Sequence, residues 1–177
     1  MHRHRPSILG PIAAIAAVGA LVAAALLMLP ARATQPTPAP EVSTTILAKS
    51  LFDPIQVKAR THTPELWKAQ LKTHGQSDVY VVDNKFPPGA STGWHSHPGP
   101  SLILVVTGTV TNYPGDDPSC TPRAYSDGEG FIDPGGGHVH LLRNETGDTP
   151  AETIAVQLLP KDAARRIPTN APSGCPT

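Results

Sequence analysis

The chain lacks a surplus of charge. Its 14 Lys and Arg balance 14 Asp and Glu, and charged side chains make up only 16% of the 177 residues. A protein that grips nucleic acid needs a basic excess to displace the counterions on phosphates, so that class is excluded. Apolar residues are sparse as well, at 39%, and a large part of them sits in the first thirty positions. What remains can build one modest core and no more. No internal repeat is visible, and cysteine occurs only at 120 and 175. What is abundant is glycine (15) and proline (21), about a fifth of the chain together. Both are poor in helix interiors, which argues against a helical bundle and for a single β-rich domain.

The start of the chain carries an address. His2, Arg3, His4 and Arg5 precede an uncharged apolar run from Ile8 to Leu29, and Ala31-Arg32-Ala33 offers small residues two apart before Thr34. This is the layout of a secretory signal over residues 1–33 with cleavage after Ala33. The run is also long enough to span a bilayer, so an uncleaved anchor is the alternative, and in either case the remainder is expected outside the cytosol. Cleavage removes Arg3, Arg5 and Arg32 and leaves a slight acidic excess. Residues 34–41 (TQPTPAPE) read as an extended Pro-rich linker, and 42–177 as the folded domain. As the only pair in an exported chain, Cys120 and Cys175 are expected to form a disulfide.

Within the domain, Thr63 as N-cap, Pro64 as first helical residue and Gly75 as stop bracket one short helix, with Leu66, Trp67 and Leu71 at helical spacing. Strand-like runs follow at 78–86, 101–113, 130–133, 139–143 and 151–159, separated by Gly/Pro turns, and an earlier strand is expected within 45–58. Many short strands with such turns describe a sandwich or barrel.

The histidines carry the chemistry. His2 and His4 belong to the leader, and His62 and His74 flank the expected helix. The other four form two His-x-His pairs, His95/His97 and His138/His140. On a strand, residues two apart face the same way, so each pair can present two imidazoles to one ion. Two such pairs beside Gly/Pro turns point to a metal site over surface decoration.

The stretch Gly89-(x)5-His95-x-His97-(x)3-Ser101-(x)6-Gly108 resembles the first motif of the cupin superfamily, G-(x)5-H-x-H-(x)3-4-E-(x)6-G. Gly128-(x)5-Pro134-x-Gly136-(x)3-His140-(x)3-Asn144 is similar to the second, G-(x)5-P-x-G-(x)2-H-(x)3-N. The motifs cover about 89–144, and the flanking strands extend the likeness to roughly 45–160. The resemblance implies an all-β fold, a small antiparallel β-barrel or jelly roll with the site inside one mouth. It implies His95, His97 and His140 as ligands of a divalent metal ion, with zinc, copper, iron, manganese and nickel all compatible. Two positions depart from the pattern. Ser101 occupies the place of the glutamate, and its neutral hydroxyl leaves a coordination position open. One extra residue precedes His140, which His138 could accompany or replace as ligand.

Other positions have plainer expected roles. Gly89, Gly108, Gly128 and Gly136 should hold turns, Asn144 should order the turn at 144–147, and Trp94 and Arg143 should face away from the site. Asp127, Glu129 and Asp133 read as solvated turn residues, so no general acid or base can be named. Two functions remain: an exported metalloenzyme, of dioxygenase-like or Lewis-acid type, or a non-catalytic cupin that binds a small ligand or keeps the scaffold. The partners expected are a small-molecule ligand or substrate and no nucleic acid. Membrane contact is expected only through an uncleaved N-terminus, and a homodimer is left open.

Overall fold

The structure is a computed structural model, and it describes residues 40–61 and 67–176. The expected leader, most of the linker and the first part of the expected helix lie outside the described residues. Those described fall in one unit, Pro38–Thr177. No helix occurs among them. Twelve strands do: β1 (Ser43–Phe52), β2 (Gln56–Arg60), β3 (Lys68–Lys72), β4 (Ser77–Phe86), β5 (His95–Ser96), β6 (Ser101–Thr107), β7 (Thr109–Pro114), β8 (Arg123–Ser126), β9 (Gly130–Asp133), β10 (Val139–Arg143), β11 (Ala151–Pro160) and β12 (Ile167–Pro168).

They form two five-stranded sheets, in the orders β1-β4-β11-β6-β9 and β12-β5-β10-β7-β8, plus a β2-β3 hairpin, and every named strand pair is antiparallel. The expected jelly-roll class is consistent with this arrangement. Alternation explains which side chains are inside. Along β11, Ala151, Thr153, Ala155, Gln157 and Leu159 are buried while the residues between them are partly open. Phe86, Val105 and Ala151 of the first sheet pack with Val110 and Leu142 of the second, so the core lies between the sheets. A second cluster, Tyr80, Val82, Ile103, Ala155 and Leu159, continues it, with Phe131 packed against both.

Two local expectations are corrected. Residues 101–113 are not one strand: β6 and β7 belong to different sheets, and the chain turns between them at Gly108. There φ is +71°, and an added Cβ would lie 2.5 Å from the Pro150 carbonyl oxygen, so both conformation and space require glycine. The helix expected over 63–75 gives way, where the chain is described, to β3, whose Lys68–Lys72 pairs in register with Arg60–Gln56 of β2. Pairing along the hairpin satisfies the backbone that capping signals alone would have placed in a helix.

Cys120 and Cys175 are joined across 55 residues with Cα atoms 5.4 Å apart. The Trp94 indole also ties down the tail, donating from Nε1 to the Pro176 carbonyl at 2.8 Å. Replacing both cysteines with serine is expected to lower the unfolding free energy by about 4 kcal/mol through the regained loop entropy. Urea denaturation measures it, and a loss under about 1 kcal/mol would show that the tail is held without the bridge.

Candidate metal centre

His95 sits on β5, His97 follows that strand directly, and His140 sits on β10 opposite His95 in the antiparallel register. Parity turns His95 and His97 to the same side, and the β5-β10 pairing brings His140 to them. The three imidazoles are buried, their ring centroids lie 4.5 to 5.6 Å apart, and one nitrogen from each lies within 4.8 Å of the others. They form a group that could hold a metal ion.

Each ring is turned by a carbonyl oxygen. Nδ1 faces the Gly93 oxygen in His95 (2.9 Å), the Arg165 oxygen in His97 (2.6 Å) and Asn112 Oδ1 in His140 (3.3 Å). A carbonyl can only accept, so Nδ1 donates in all three and Nε2 is left with its lone pair for an ion. Electrostatics favour the same state. Burial, followed by the neighbouring His140, pushes His95 down to about 2. Burial lowers His140 to about 4 against the opposing pull of Asp133, and burial lowers His97 in the same sense. The cluster is therefore neutral at pH 7, the form that ligates metals.

Asp133 corrects the sequence reading most. It is 4% exposed rather than a solvated turn residue, and its Oδ2 lies 3.9 Å from His97 Nε2 and 4.0 Å from His140 Nε2. Oδ1 accepts from the Gly135 amide at 3.2 Å, while Oδ2 and His140 Nε2 are buried without any hydrogen-bond partner. Two orphaned buried acceptors 4.0 Å apart are costly unless a cation, a proton or a water lies between them. Donors at about 2.0–2.2 Å from a common ion stand roughly 3–4 Å apart; Oδ2 meets that spacing to His97 and His140, while the group that could hold an ion is His95, His97 and His140. The one signal in the sequence was alternation with Phe131, which packs inward while Ile132 is exposed.

Register explains the placement. Gln157, Ser101 and Asp133 lie side by side across β11, β6 and β9, all buried. Gln157 donates from Nε2 to Ser101 Oγ at 3.1 Å. The carboxylate thus stands one strand over from Ser101, where the cupin motif would place its glutamate. His138 is outside the cluster: β10 begins only at Val139, and the exposed His138 ring places Nδ1 3.2 Å from Asp116 Oδ2. Asn144 orders its turn as expected, accepting from Thr146 and donating to the Phe86 and Thr149 carbonyls.

A cavity of about 710 Å3 opens on the cluster, lined by His95, His97 and His140 together with Ser101, Gln157, Arg165 and Arg166. Arg143, expected to face away from the site, borders it half-buried and pairs with Glu145 at 3.9 Å.

Two facing antiparallel sheets with a polar, histidine-lined mouth define a β-barrel whose mouth could hold a metal ion. The cupin-domain family model matches residues 84–157, which hold His95, His97 and His140. That segment of the chain is a cupin domain. No curated protein matches the sequence. Among solved structures, a cupin superfamily protein from Desulfitobacterium hafniense is similar at 14% identity, covering 70% of this chain and 83% of its own (TM-score 0.45). A conserved protein of unknown function from Streptococcus pyogenes is similar at 17% identity over 47% of this chain and 66% of its own (TM-score 0.40). A DMSP lyase from Ruegeria pomeroyi is similar at 22% over 51% and 43% (TM-score 0.44). The chain thus spans less than two thirds of these last two.

Proposed function

We propose that the protein is an exported metalloenzyme acting on a small organic molecule. His95, His97 and His140 hold a divalent ion, Asp133 supplies the negative donor, and Ser101 leaves a position open. The observation that carries this reading is the cavity of about 710 Å3 opening directly on three neutral imidazoles, within the size range of small-molecule sites. When bound, zinc, manganese or nickel supplies a Lewis acid and iron or copper adds redox chemistry with dioxygen. The chain's own part is to fix the geometry. The Gly93, Arg165 and Asn112 carbonyls lock the rings, and Gln157 holds the Ser101 hydroxyl back. Export is supported by the disulfide, a bond that persists in oxidising compartments.

The test is elemental analysis of protein secreted by its native host, followed by dioxygen-uptake and NMR turnover assays over a panel of small organic molecules. Stoichiometric metal that disappears in His97→Ala, with turnover lost in the same variant, is the expected result. Protein that stays metal-free after exposure to each of the five candidate ions overturns the metal. Stoichiometric metal with ligands bound but unchanged assigns the non-catalytic reading instead.

A further inference from the structure

We propose that the cavity takes a small organic acid whose carboxylate is held by Arg165 and Arg166. This deepens the reading above and rests on it only for what the far end of the ligand meets. The two arginines lie between β11 and β12, half-buried, and both line the cavity that the three imidazoles line. Arg165 Nη1 donates to Gln157 Oε1 at 3.3 Å, and Arg166 Nη2 donates to the Thr92 carbonyl. Both acceptors are neutral, and each guanidinium has more N–H donors than one partner can use.

Neither arginine has a carboxylate partner among the described residues. A guanidinium drawn out of water is normally paired, and two adjacent ones also repel each other. Burial lowers the pKa of both, and Arg165 lowers that of Arg166 further. The one carboxylate in the lining is Glu41, exposed at the rim, and the third arginine, Arg143, pairs with Glu145. The positive field reaches the chemistry, because Arg166 contributes to the depressed pKa of all three imidazoles. A divalent ion would make the cavity more positive still, and Asp133 offsets only part of that. Such a pocket concentrates anions, and the planar guanidinium fork matches a carboxylate with two parallel hydrogen bonds.

Phosphate shares this chemistry, so the experiment separates the two. The intact protein, metal-free and zinc-loaded, is titrated calorimetrically with malonate, succinate, inorganic phosphate and neutral malonamide, alongside Arg165→Gln, Arg166→Gln, their double variant and Arg166→Lys. Malonate or succinate is expected to bind and malonamide not to. Each glutamine variant should weaken the dicarboxylate at least about ten-fold, the loss of a charge-assisted hydrogen bond, while Arg166→Lys retains part of the affinity. Zinc affinity should hold or tighten in the glutamine variants, because a positive charge near the ion is gone. A merely structural role would weaken zinc and anion together, and that result overturns the proposal. So does malonamide binding like malonate, phosphate binding more tightly than both dicarboxylates, or a double variant that binds the dicarboxylate like the native protein. Zinc binding without dicarboxylate binding sinks this inference and spares the metal site. Arginine-dependent dicarboxylate binding without zinc sinks the metal site and spares the inference.

Discussion

The metal-free protein is expected to lose about 3 kcal/mol or more of unfolding free energy between pH 7 and pH 4. Burial holds His140 at about 4 in the folded state, against the ordinary value of 6.5. Above pH 6.5 the ring is neutral in both states and contributes nothing to the pH dependence. As pH falls below 6.5 the unfolded chain takes up a proton that the folded chain refuses, so stability falls with pH until the folded value of about 4 is reached. Over that window His140 alone accounts for about 3 kcal/mol. His95, held down to about 2, and the lowered His97 act in the same direction. Urea denaturation with chelator present, at pH 7, 5.5 and 4, measures the slope, and His140→Gln should flatten part of it. A flat profile between pH 6.5 and 4 would mean that the cluster is hydrated and not packed as described. With metal bound the acid loss should be steeper, because protons and the ion compete for the same nitrogens.

The histidine cluster could be read from the chain because strand parity is local: His95 and His97 need only a strand to share a face, and the motif spacing singled out His140. Ser101 faced inward by the same argument. Asp133 could not be read this way. Its place beside the imidazoles depends on the pairing of β9 with β6, which sets it opposite Ser101, and an Asp before Pro134 looks like any turn residue. Arg165 and Arg166 are harder still. They follow the last long strand, and only the return of the chain through β12, which pairs Pro168 with His95, brings them to the cavity. His138, left open as a companion or replacement for His140, stands apart from the cluster for a local reason, since parity applies within a strand and β10 starts one residue later. The helix signals between Thr63 and Gly75 were local as well, and pairing with β2 decided the described part of that segment. Gly108 was correctly read as a turn, yet the continuous apolar run across it hid the change of sheet.

The second large effect concerns the carboxylate that stands one strand away from its place in the motif. Asp133→Asn keeps the shape and the hydrogen bond to the Gly135 amide while removing the charge, and should weaken zinc binding about 100-fold or more, at least what loss of an outer-shell partner costs. Ser101→Glu alone should have mixed effects. Ser101 is 1% exposed and packed on Gln157, and the new carboxylate would face Asp133 across the register. The metal-free variant should therefore be less stable by about 1–3 kcal/mol from overpacking and like-charge repulsion. With zinc present the same carboxylate adds a donor, so the ion should bind more tightly and azide, which needs an open position, more weakly. The double variant Asp133→Asn/Ser101→Glu is the decisive one, since it moves a single carboxylate from β9 to β6 without the repulsion. It should recover most of the zinc affinity lost by Asp133→Asn, a strong non-additivity of the kind seen between groups that share one partner. Competition with a chromophoric chelator gives the zinc constants, and azide titration of the cobalt-substituted protein reads the open position. Native affinity in Asp133→Asn would remove Asp133 from the ion. A double variant no better than Asp133→Asn would place Ser101 away from it.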